Sequence, residues 1–152
     1  MGTNFYIATE TKEVCDKYFG YNYELTDFPF WGYKQHIAKT YSGWLPLFDG
    51  TSCFKSIKEL KAIYETGFFV LCDEYGNMYN WEEFDERVLK FNGGVVGGVQ
   101  KMKYDINKNS SFYDKDMPEY LPVSHFEYGN GRYAYNYFKD EDGYEFSHRT
   151  FC

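Results

Sequence analysis

The chain has 152 residues, the length of one domain, and 1–152 reads as a single unit. Charged residues make up 26% and hydrophobic residues 43%, which excludes a disordered chain; aromatics reach 23%, through 17 Tyr, 15 Phe and 3 Trp. A total of 16 Lys and Arg against 23 Asp and Glu leaves a net charge of −7, which excludes general nucleic-acid binding, because neutralising phosphates needs clustered cations.

Thr3 to Thr9 reads as a first strand, with Phe5 and Ile7 on one face and Tyr6 and Ala8 on the other. Residues 10–32 hold seven aromatics, Pro29 and two glycines, and read as a loop or short hairpin. Lys34 to Tyr41 alternates as a strand does. Ser42-Gly43 turns the chain, and Trp44 to Phe48 follows as a partner strand that Pro46 demotes to an edge or a bulge.

Ser56 and Glu59 match the S-x-x-E capping box and start the first helix; Leu60, Ile63 and Tyr64 form its stripe, and Gly67 stops it. Phe68 to Cys72 is a continuous apolar run, the pattern of a buried strand, and Gly76-Asn77 is a turn. A second helix starts at Asn80 with Glu83 three residues on; Trp81, Phe84, Val88 and Phe91 recur at helical spacing, and Asn92-Gly93-Gly94 ends it.

Residues 93–122 read as the least regular stretch. Beyond them, Ser124 to Tyr128, Arg132 to Phe138 and Tyr144 to Phe151 read as three short strands joined at Asn130-Gly131 and Asp142-Gly143. The fold class is therefore α+β: an antiparallel or mixed sheet with two helices on one face and a C-terminal three-stranded meander.

Chemistry concentrates in His36-Ile37-Ala38-Lys39-Thr40-Tyr41-Ser42-Gly43-Trp44. Strict strand alternation points His36, Ala38 and Thr40 one way and Ile37, Lys39 and Tyr41 the other. His36 and Thr40 then meet one ligand, with Ser42 at the turn and Trp44 as a stacking plate. The competing reading is a hydrogen-bonded, half-buried histidine and a core tryptophan.

Asp73-Glu74-Tyr75-Gly76 places carboxylates at a strand end, where they bind a metal, act as a base or simply form a polar turn. His148-Arg149-Thr150 is a single H-x-T with no second copy to face it, and Arg149 is a candidate anion clamp. The glycine block at 93–98 is neither a dinucleotide fingerprint nor a P-loop. The tyrosines near the C-terminus suit either a recognition surface or a Tyr-rich core.

The cysteines, Cys15, Cys53, Cys72 and Cys152, contain no C-x-x-C and read as buried thiols. A zinc site based on Cys15 and His36 would need two further ligands from afar, such as Cys152 or His148, so no metal and no other cofactor is expected. The opening residues lack a secretory signal, and no run approaches the roughly 18 apolar residues of a membrane span. The expectation is a cytoplasmic protein with reduced thiols.

The opening Met1-Gly2-Thr3-Asn4-Phe5-Tyr6, the block His36 to Trp44, Asp73-Glu74-Tyr75-Gly76 and the closing Gly143-Tyr144-Glu145-Phe146 occur in the order found in a family of small tailed-bacteriophage proteins, which the chain resembles. Those proteins open M-G-T-N-Y-Y, carry an H-I-G-K-S-S-x-G-W block, and often place a C-x-x-C before the histidine, where this chain has only Cys15. The resemblance implies a phage origin and a place of action in the host cytoplasm.

The leading expectation is an accessory anti-defence protein that is not an enzyme and that sequesters a nucleotide-type host immune signal. Its ligand-binding residues would be His36, Lys39, Thr40, Ser42, Trp44, Tyr75 and Arg149. A homodimer is the state this reading favours. The alternatives are an inhibitor that binds a host defence protein through an exposed aromatic patch, and a small nucleotide hydrolase using His36 or His148 as general acid or base.

Overall fold

The computed structural model describes residues 2–93, 124–125 and 136–151. Their strands form one sheet of eight: β1 (Thr3–Thr9), β2 (Glu24–Thr26), β3 (Gly32–Thr40), β4 (Leu47–Asp49), β5 (Val70–Asp73), β6 (Met78–Tyr79), β7 (Tyr137–Lys139) and β8 (Glu145–Ser147). The order is β6-β5-β1-β3-β4-β8-β7, with β2 also paired to β3. The β4–β8 pair is parallel and the others are antiparallel, so the sheet is mixed and the class is α+β as expected.

Three α-helices are present among the described residues, one more than expected: α1 (Lys12–Tyr18), α2 (Ile57–Glu65) and α3 (Trp81–Phe84), the last continuing into a π-helical turn, Asp85–Leu89. All pack on the same face of the sheet. Phe5 and Ile7 of β1 share one buried cluster with Cys15 and Phe19, with Ile57 and Leu60, and with Phe84 and Val88. Their side chains repeat at i and i+3 or i+4, the spacing that puts a helix's apolar residues on one side.

The α1 helix corrects the loop expected at 10–32. Cys15 and Phe19 are its buried pair, and Lys12 meets Asp16 one turn on. The aromatic load of this stretch hid a period that only two core residues carry.

The caps form as expected. Ser56 accepts the Glu59 N–H at 3.1 Å, although Glu59 returns its bond to Lys55 N–H at 3.0 Å rather than to Ser56. At α3 the box is reciprocal: Asn80 Oδ1 accepts from Glu83 N at 2.8 Å, and Glu83 Oε1 accepts from Asn80 N at 3.0 Å. The α2 start gains a distant cap, because Ile57 N–H donates to Asp140 of the β7–β8 turn at 2.9 Å.

The Asp142-Gly143 hairpin forms, with Gly143 at φ +88°, and joins β7 to β8 as the last two strands of the expected meander. Most of the meander's first strand, its Asn130-Gly131 turn and most of residues 93–122 lie outside the described residues. The apolar run at Phe68 starts later than expected: Phe68 is exposed, Phe69 is buried, and the strand runs from Val70 to Asp73. Among the described residues, no helix is long and apolar enough to cross a membrane.

Candidate functional site

The face of the sheet away from the helices is organised by a bulge. The β1–β3 register runs Thr9↔Tyr33 to Tyr6↔His36, then resumes at Phe5↔Ala38 and continues through Asn4↔Lys39 to Thr3↔Thr40. Ile37 is the extra residue on β3, and an extra residue reverses the parity of everything after it. His36 therefore shares the helix-free face with Lys34 before it and Lys39 after it. Thr40 falls on the opposite face and is buried. The strict alternation expected from sequence, with His36 and Thr40 together and Lys39 opposed, is corrected by this one residue.

His36 is buried, and both ring nitrogens are engaged. Nδ1 lies 3.0 Å from Asp49 Oδ2 and Nε2 lies 2.9 Å from Asn4 Oδ1. The edges of Tyr6 and Phe151 enclose the ring, with centroids 5.5 and 5.0 Å away. Asp49 also accepts the Thr51 N–H at 2.9 Å and hydroxyl at 2.6 Å, and meets the Thr150 hydroxyl at 3.2 Å. Burial pushes the Asp49 carboxyl up, but the bonds from His36 and Thr51 outweigh it and hold it below the usual carboxylate range. Ring nitrogens occupied in this way fix the site and leave neither one open to a substrate.

Two cations flank the histidine. Lys34 Nζ sits 4.2 Å from the Tyr6 ring centroid and Lys39 Nζ 4.6 Å from that of Tyr41. Neither lysine makes an ion pair among the described residues, although Glu24 stands opposite Lys34 in the β2–β3 register. The Lys34 ammonium is turned the other way, toward β5, where its charge acts on the Cys72 thiol; burial nevertheless pushes that thiol up to about 11. Phe30, from the β2–β3 connection, packs on Tyr6, Ala8 and Cys72, and Phe28 lies over Gly76. Phe30 thus borders the strip on one side and Phe151 on the other.

The remaining expected residues separate. Arg149 is exposed at the margin of the strip, between Ser147, which pairs with Asp49, and Thr150, which bonds to it. Ser42 is exposed in its turn, and Tyr75 is 58% exposed with its N–H donated to Asp73. Trp44 belongs to a different cluster: His125 stacks on it at 4.8 Å, and Tyr137 lies 5.6 Å beyond that ring. Burial pushes the His125 imidazole down, against the nearby Glu145 carboxylate and the bond to the Leu45 carbonyl.

Asp73 is a turn residue in effect: it accepts from Tyr75 N, from both Asn77 nitrogens and from Tyr79 OH at 2.6–3.0 Å, with no side left for a metal. Cys15 and His36 stand on opposite faces of the sheet and cannot share an ion. A cleft of about 230 Å³ opens near the β7–β8 turn, lined by Leu45, Pro46, Leu89, Phe91 and Tyr144 with Asp142 and Glu145. Its carboxylates disfavour an anionic ligand, and none of the expected site residues lines it.

Sequence reading missed Lys34, Tyr6, Asn4 and Asp49. A strand-long alternation scan that allowed one bulge would have joined Lys34, His36 and Lys39. Asp49 belongs to a non-local pairing that no local pattern reports. No family model, no curated protein and no solved structure matches the chain.

Proposed function

We propose that the chain is a binding protein whose helix-free sheet face takes a nucleotide-type anion. One observation carries this reading. In a chain of net charge −7, Lys34 and Lys39 are held over tyrosine rings on one face, either side of His36, and make no ion pair among the described residues. The two ammonium groups suit phosphate; Tyr6 is buried, whereas Tyr41 is 38% exposed and is the ring beside them that a base can reach, where aromatic stacking contributes about 1–3 kcal/mol per base. Arg149 adds a bidentate donor at the margin.

Binding is favoured over turnover, because His36 has both nitrogens bonded and so cannot serve as a free acid or base. With the resemblance to tailed-phage proteins, the role attached to this face is sequestration of a host nucleotide signal in the host cytoplasm. The test is a thermal-shift panel of short linear oligoadenylates, cyclic dinucleotides, cyclic trinucleotides and ADP-ribose derivatives, each stabilising compound then recovered by heat and chromatographed. Intact recovery supports sequestration, altered recovery means catalysis, and the absence of any shift overturns the reading.

A second reading has its own observation. Phe28, Tyr75 and Met78 are 61%, 58% and 57% exposed, and Phe28 lies over Gly76 beside Tyr75. Such a patch suits a protein partner. That reading predicts that Phe28→Ser and Tyr75→Ser abolish inhibition of the host target while Lys34→Gln and Lys39→Gln leave it intact.

A further inference from the structure

The two lysines of the strip sit at defined levels. Lys34 pairs with Ala8 and Lys39 with Asn4, four residues apart along β1 and hence roughly 13 Å apart at the usual strand rise. Their side chains lean the same way along the strand. The Lys34 ammonium lies over Tyr6, two residues toward the start of β1 from its own level. The Lys39 stem lies against Gly2, also two residues toward that end, with its ammonium over Tyr41. Both lean toward the start of β1, so the two charges stay apart along the strip. Between them the face carries Asn4 and the His36 ring, which are bonded to each other and contribute no free charge.

One compact anion cannot satisfy both points. A contiguous di- or triphosphate would reach one ammonium and leave the other in water. Resting on the proposed nucleotide-binding face, we infer that its ligand is a short linear oligonucleotide of two or three residues, with phosphates separated by whole nucleosides. One phosphate would lie at Lys34 beside Tyr6 and Phe30, and another at Lys39 beside Tyr41. The intervening sugar and base would cross Asn4 and the His36 edge.

The test is calorimetric titration of the full chain with 5′-phosphorylated triadenylate, pApApA, and with ATP, across a salt series. ATP packs its charge in one place; pApApA spreads it. The expected result is at least tenfold tighter binding of pApApA. Its log K against log salt should have a slope near −1.4, the value for two phosphates neutralised on a single strand at about −0.7 each. Lys34→Gln and Lys39→Gln should each halve that slope, with unchanged thermal midpoints showing that the variants fold. Binding of ATP as tight as that of pApApA, or a slope that only one lysine variant changes, overturns the two-point ligand and leaves the face as a nucleotide site. If neither compound binds, this inference fails; the nucleotide reading it rests on fails with it only if the thermal-shift panel also gives no shift.

Discussion

His36 Nδ1 lies 3.0 Å from Asp49 Oδ2, and both side chains are buried, the His36 ring edge-to-face with Tyr6 and Phe151 and the Asp49 carboxylate bonded by the hydroxyl of Thr150. This pair ties β3, β4 and the residues after β8 together on the helix-free face. Removing one partner of a buried hydrogen bond leaves the other unsatisfied and costs about 1–3 kcal/mol. Asp49→Ala should therefore destabilise the chain by that amount in urea unfolding, and Asp49→Asn by less. A loss below about 1 kcal/mol for Asp49→Ala would mean that the pair does not hold the face together.

Acid should unfold the chain through two buried carboxylates. Burial pushes Asp73 up, but bonds from Tyr79, Asn77 and Tyr75 outweigh it, so its pKa falls below the ordinary 3.8; Asp49 behaves likewise. A group whose folded pKa is depressed stabilises fully above the unfolded value and loses that contribution as pH falls through the folded one. Stability measured by urea should decline below pH of about 4, and Asp73→Asn should flatten that decline while lowering stability at neutral pH. An unchanged acid limb in Asp73→Asn would remove Asp73 from the account.

The helix starts offer a graded pair. Asn80→Ala removes a reciprocal capping box and should cost about 1 kcal/mol. Asp140→Ala should cost at least as much, because Asp140 satisfies the Ile57 N–H and also accepts from Asp142 N and Tyr144 N within its own turn. Thermal or urea midpoints for the two variants check the order.

Gly76 and Gly143 share a left-handed φ, +85° and +88°, but differ in surroundings. A Cβ at Gly143 meets nothing within 4 Å, whereas one at Gly76 runs into the Phe28 ring. Gly143→Ala should cost about 1–2 kcal/mol from conformation alone. Gly76→Ala should cost more, and Phe28→Ala in the same chain should recover the difference. Additive losses in that double-mutant cycle would mean that Phe28 does not rest on the turn.

Local signals carried much of the fold. The parity of β1, with Phe5 and Ile7 against Tyr6 and Ala8, was legible because Phe5 and Ile7, two apart at its centre, are large apolar side chains that share one face and one core. Ser56 and Asn80 were legible because a cap needs a particular side chain at a particular spacing. The hairpin at Gly143 needed a glycine, and one was there. What escaped was non-local or hinged on one residue. The bulge at Ile37 has no signature of its own, yet it moves Lys39 onto the face of His36 and takes Thr40 off it. The parallel pairing of β8 with β4, which brings Thr150 and Phe151 over Asp49 and His36, joins segments a hundred residues apart in sequence and leaves no local trace. Trp44 read as an open stacking plate because nothing nearby in sequence announces His125 as its partner.

The most direct measurement is an amide-detected NMR titration of the full chain with pApApA. The expected result is a set of shifts confined to the helix-free face, at Tyr6, Lys34, His36 and Lys39, with Leu60 and Val88 on the helix side unmoved. Shifts centred on Leu45, Phe91 and Tyr144, at the acidic cleft, or no shifts at all, would contradict it.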